Sequence, residues 1–158
     1  MDAKTDNPTD KDPGEFSRWA QVLGYGGLIP FFAAAIASWT VSGPVFGIDP
    51  IDAGRAYGAV ILSFLGGIRW GIALTSAKQV AAEKDLAISV APSVAAWAAL
   101  LLPALPGLVI LLAGFIAQLY WDMRAHRKGL IPEWFKGLRV QLTFGAVIGL
   151  LAMLPEIG

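Results

Sequence analysis

The sequence predicts an all-α integral membrane protein of five transmembrane helices with one short interfacial helix, on three observations. The chain has 158 residues, of which 56% are hydrophobic and 15% charged; a soluble domain carries about a quarter charged residues. No charged residue occurs from Ala20 to Ile48 or from Leu86 to Trp121, whereas a helix in water needs a polar face. Of the twelve Lys and Arg residues, all but Arg55 and Arg69 fall on one side of the five-helix reading. That side holds Lys4, Lys11 and Arg18, then Lys78 and Lys84, then Arg124, Arg127, Lys128, Lys136 and Arg139. Cytoplasmic loops carry the Lys/Arg excess, so the expected orientation is N-terminus in and C-terminus out.

The apolar runs are Trp19–Val41, Gly54–Ala77, Leu86–Leu102, Gly107–Trp121 and Leu138–Pro155. Crossing the hydrocarbon takes roughly 20 residues. The first two runs meet that length and the third suffices; the last two are short and must borrow flanking residues or tilt little. Residues 1–15 are polar, with Pro8, Pro13 and Gly14, and read as a disordered cytoplasmic tail. Residues 16–158 form one five-helix domain. Asp2, Asp6, Asp10, Asp12 and Glu15 precede the first run, which argues against both a cleaved signal and an Arg-rich transit peptide.

In the first helix, Pro30 predicts a kink near Leu28–Phe31, because proline removes a backbone donor and clashes with the preceding turn. Ser42–Asp52 carries the turn signals Gly43-Pro44, Gly47 and Asp49-Pro50. In the second helix Ala59, Ser63, Gly67 and Gly71 recur every four residues, and Thr75 extends the row. Such a stripe lets another backbone approach closely and is the expected packing seam. The third helix holds Pro92, and Pro103 to Gly107 makes a tight hairpin. Before the fifth run, Trp134, Phe135 and Leu138 share an apolar arc flanked by Lys136 and Arg139, the pattern of a short interfacial helix. Gly145 and Gly149 repeat the four-residue spacing in the fifth helix.

Arg69 is the one charge deep in a span. It lies roughly 4–5 Å from the second run's midpoint at 1.5 Å per residue, where a central Arg costs about 2.5–3.5 kcal/mol on insertion scales. It shares a helix face with Arg55, Gly58, Gly66 and Ala73, apart from the Ser63–Gly71 stripe. Asp122 is the best acceptor for it, with Gln118 one turn earlier making a ladder; Asp85 is the other acid at that depth. Two readings stand for Arg69, Gln118 and Asp122: a staple between helices, or a site for a solute or ion.

Catalytic sets are missing from the sequence. There is no cysteine and one histidine, His126, so thiolate metal sites and a Ser/His/Asp triad within the spans are excluded. No span holds a carboxylate pair, a lysine or a phosphate-binding glycine loop. The expectation is a protein that is not an enzyme and holds no cofactor and no metal. A zero net charge makes nucleic acid an unexpected partner. Anionic lipid is the expected partner of the basic loop that contains Trp134, Phe135, Lys136 and Arg139, and a second membrane protein is a further candidate.

Two blocks resemble a known family. One is Tyr57-Gly58-Ala59-Val60-Ile61-Leu62-Ser63-Phe64-Leu65-Gly66-Gly67-Ile68-Arg69-Trp70-Gly71. The other is Tyr120-Trp121-Asp122-Met123-Arg124, followed by Gly129 to Phe135 and Leu138-Arg139. Together they are similar to domain of unknown function 3429, the family of transmembrane protein 69-like chains, over about Trp19 to Leu154. The resemblance implies a multi-pass inner-membrane protein of bacteria or mitochondria and supplies no activity. The residues themselves support a non-enzymatic structural, assembly or binding component of a membrane, with a small anion or proton channel or carrier using Arg69 as the alternative; the bacterial inner membrane is the location that the resemblance implies.

Overall fold

The computed structural model describes residues 13–75 and 79–157, and within them every long element is a helix. They are α1 (Pro13–Gly26), α2 (Ile29–Thr40), α3 (Pro50–Thr75), α4 (Gln79–Leu101), α5 (Ala104–Arg127) and α6 (Glu133–Ala152), closed by a 3-10 turn at Leu154–Glu156. Four stretches are long and apolar enough to cross a membrane: Ser17–Thr40, Pro50–Leu74, Ala104–Arg127 and Glu133–Glu156. A shorter apolar helix covers Leu86–Leu101. The two short apolar runs do borrow flanking residues, each reaching 24 residues. Of the expected tail, residues 1–12 lie outside the described residues, and helix already starts at Pro13.

The expected kink interrupts the helix for two residues, with Leu28 still in the right-handed helical region. α1 ends at Gly26 and α2 begins at Ile29. Pro30 has no N–H to give, and the Phe31 N–H bonds to the Leu28 carbonyl at 3.1 Å. The Gly27 carbonyl thereby loses its helical donor, and the Tyr57 hydroxyl of α3 donates to it at 2.8 Å. A freed backbone acceptor inside a membrane bundle needs such a replacement.

The separate interfacial helix is a correction. Glu133 to Ala152 is one continuous helix, so Trp134, Phe135, Lys136 and Arg139 form its first two turns. Gly137 is the weakest helix former there, and a single glycine costs only about 1 kcal/mol, too little to end a helix whose next residues are apolar.

The packing seam of α3 is the second correction. Gly67 and Gly71 are exposed and Ser63 only half-buried. A Cβ added at either glycine meets nothing within 4 Å among the described residues. The seam runs instead along the neighbouring face. A Cβ at Gly66 would lie 2.6 Å from the Ser89 carbonyl oxygen of α4, a distance that forces backbone apart. Ala59, the first member of the expected row, is buried, and so are Leu62, Leu65 and Ala73 on the side of Gly66. Small residues do admit a neighbour in α6, where a Cβ at Gly145 would sit 2.6 Å from Leu28 and one at Gly149 2.8 Å from Phe31.

The core joins α2, α3, α5 and α6 through Phe31, Leu62, Leu108, Leu111, Phe115 and Leu150. Phe31 meets Tyr57 and Phe115 edge-on, with ring centroids 5.0 and 5.9 Å apart. Around it, large apolar side chains such as Trp97, Phe144 and Leu101 are nearly two-thirds exposed. That outer surface suits lipid and not water.

Candidate functional site

The polar residues gather at two ends of the bundle. At the basic end, α5 closes on a turn dictated by Gly129, whose φ of +71° suits glycine. Its N–H reaches the His126 carbonyl at 2.8 Å, and the Leu130 N–H reaches the Ala125 carbonyl at 3.0 Å. This is the Schellman arrangement that satisfies helix-end carbonyls. Pro132 then leads into α6. His126, the one histidine, ties this turn together. Its Nδ1 lies 3.2 Å from the Ile131 carbonyl and its Nε2 2.8 Å from Glu133. Glu133 also receives Lys136 Nζ at 2.5 Å.

Inside that end, Arg139 Nε donates to Asp122 Oδ2 at 2.6 Å, with the two side chains 8% and 14% exposed. The charges are therefore paired where water is scarce, the condition under which an ion pair matters most. The staple joins α5 to α6 and not α3 to α5, which corrects the expected Arg69–Asp122 pair. The continuity of α6 is the reason. With the helix running unbroken from Glu133, Arg139, Thr143 and Ala146 fall at i, i+4 and i+7 on one inward stripe, and all three are buried. Arg139 is thus withdrawn from the basic surface it was expected to flank. Gln118 is 2% exposed, one turn along α5 from Asp122.

Arg69 lies beside this pair. Its guanidinium carbon stands 4.2 Å from the centroid of the Trp121 ring, a cation–π distance. Arg69, Trp121, Asp122, Arg124 and Lys128 line a small cleft of about 50 Å³. The structure thus brings Arg69 and Asp122 to one cleft while assigning the carboxylate to Arg139. Trp134 and Phe135 meet edge-on at 5.6 Å and are half-buried.

At the opposite end sits a residue whose role sequence reasoning missed. Arg55 is 6% exposed. Its Nη2 donates to the carbonyls of Ala99 at 2.8 Å and Leu102 at 2.5 Å, and its Nη1 pairs with Asp52 at 2.6 Å. The last carbonyls of α4 have no helical donors, and its last turn holds no basic residue; Arg55 supplies the donors from α3. The signal was present: Arg55 lies on the face of Gly58, Gly66 and Arg69, level with the α4–α5 hairpin. Asp49 starts α3 by accepting the Ile51 N–H at 2.8 Å, with Pro50 at the favoured first position. Among the described residues no cluster of His, Cys, Asp and Glu is suited to a metal.

The model of the family "Protein of unknown function (DUF3429)" matches residues 16–155. The chain is 37% identical over 138 residues to transmembrane protein 69 of Xenopus tropicalis, covering 85% of this chain and 53% of that protein. It is 33% identical over 133 residues to transmembrane protein 69 of Mus musculus, covering 81% and 52%. The chain thus spans about half the length of these curated relatives. No solved structure matches it. Apolar helices and sequence likeness agree that this is a multi-pass membrane protein, and the chain belongs to the DUF3429 family.

Proposed function

We propose that the protein is a non-enzymatic structural or binding component of the bacterial inner membrane, with its basic end on the cytoplasmic side. One observation carries this reading: the two most buried cations among the described residues each tie helices together. Arg55 is engaged by Asp52 and the α4 carbonyls, and Arg139 by Asp122. Between these ends lies an apolar layer of Leu62, Leu108, Leu111, Phe115 and Leu150, each at most 1% exposed. A conduction path needs polar groups or water through that depth. Arg124, Arg127, Lys128 and Lys136 would rest on anionic headgroups, at about 1 kcal/mol per cation near such a surface.

The alternative, an anion or proton path at Arg69, draws on the cation-rich cleft beside Trp121. A flux assay separates the two. The full chain reconstituted in sealed vesicles should pass protons and chloride no faster than protein-free vesicles do. Flux that Arg69→Leu abolishes would overturn the binding-component reading.

A further inference from the structure

A second cavity, of about 370 Å³, lies between the α1–α2 break, α3 and α6. Its walls are apolar, formed by Leu23, Phe31, Phe64, Phe115 and Leu142 among others. Leu23 and Phe64 are 71% and 63% exposed, so its rim faces the surroundings of the bundle. Ligand sites commonly fall in the range of about 300–1,000 Å³, apolar with a few placed polar groups. Two such groups are here, Arg139 and Thr143. Thr143 is 4% exposed, and its hydroxyl is buried without a hydrogen-bond partner. A buried hydroxyl left unpaired is costly, and this one lines a hollow large enough to admit a partner.

We propose that this cavity binds an anionic phospholipid of the basic-end leaflet, with one acyl chain along the apolar walls. A headgroup or ester oxygen would accept from Thr143 and from the terminal amino groups of Arg139. The polarity gradient fits that pose. Arg139 stands six positions into α6 from Glu133, about 9 Å at 1.5 Å per residue, and Thr143 about 6 Å further. The apolar walls continue beyond them to Ala146 and Phe31. Asp122 holds Arg139 through Nε, which leaves the two terminal amino groups for a ligand. Asp122 also opposes an incoming anion, and the cations of the same end offset it: Arg124, Arg127, Lys128 and Lys136. A partner's helix does not suit the space, since one turn about 10 Å across and 5.4 Å long fills more than roughly 400 Å³. A neutral quinone would leave the cation excess unused.

The inference rests on the binding-component reading and names its ligand. The test uses the full chain, purified in mild detergent and stripped of lipid. Dioleoyl phosphatidylglycerol should raise its thermal midpoint more than dioleoyl phosphatidylcholine does. Thr143→Val removes the hydroxyl at nearly constant shape. Without lipid that variant should be as stable as the parent or more so, because an orphan polar group is gone. Its affinity for phosphatidylglycerol should fall about five- to tenfold, the worth of one hydrogen bond to a charged or polar group. Equal response to the two lipids, or unchanged affinity in Thr143→Val, would overturn the proposal. So would retention of a prenyl quinone in preference to phosphatidylglycerol. Loss of lipid preference with ion flux still absent defeats the lipid site alone, whereas flux defeats the reading beneath it.

Discussion

Arg139→Leu and Asp122→Leu, made singly, are each expected to destabilise the bundle by about 3–5 kcal/mol, the range for stranding one member of a buried ion pair. Both side chains are mostly buried, at 8% and 14% exposure, so little solvent is at hand to screen the charge left behind. The double leucine variant should recover part of the loss, because an apolar pair leaves no uncompensated charge. Unfolding by denaturant in a mild detergent would read the four corners of the cycle. Losses that simply add would mean that the two residues do not meet. In the same assay Arg69→Leu combined with Asp122→Leu should be close to additive, since the ion pair of Asp122 is made with Arg139.

Arg55→Leu is the next largest expected loss. Hydrogen bonds from a charged group contribute about 1.5–3 kcal/mol each, and Arg55 makes two to the carbonyls of Ala99 and Leu102. Its third bond adds little, because Asp52 is 61% exposed and exposed pairs are weak. The unpartnered Nε of Arg55 works in the opposite direction, since leucine removes that orphan donor. A net loss on the order of 3 kcal/mol results. Arg55→Lys should restore only part of it, because a single ammonium lacks the guanidinium fork. Thermal unfolding gives the size of the effect, and hydrogen exchange at the end of α4 gives its place. Unchanged stability with unchanged exchange at Leu101–Leu102 would contradict the capping role.

Much of the architecture was legible because the bilayer imposes it. Charge-free length located the apolar helices, and Pro30 located the break between α1 and α2. What failed was the choice between two faces of α3. A stripe of small residues such as Ser63, Gly67 and Gly71 fits a close neighbour or open lipid equally well. The neighbouring face held Gly66 together with Arg55 and Arg69, and intramembrane charges face the bundle interior. That coincidence of glycine and charge was the deciding signal, and it was read as a separate polar track. The partner of Asp122 was missed for a different reason. Several cations stand near the basic end, and chain order does not say which one turns inward. Treating residues 132–139 as a separate interfacial helix placed Arg139 on the surface. One continuous α6 places it on the stripe of Thr143 and Ala146. The cavity beside Thr143 depends on five separate elements, and no local pattern announces it.

The central claim is that one face of α3 serves both as packing seam and as the home of its charges. Two alanine substitutions test it most directly. A Cβ at Gly66 would stand 2.6 Å from the Ser89 carbonyl oxygen, whereas one at Gly67 meets nothing within 4 Å among the described residues. Gly66→Ala should therefore lower the thermal midpoint of the full chain in mild detergent, and Gly67→Ala should leave it unchanged or raise it, since alanine is the better helix former. A loss at position 67 with none at position 66 would turn Arg55 and Arg69 toward lipid and contradict the account.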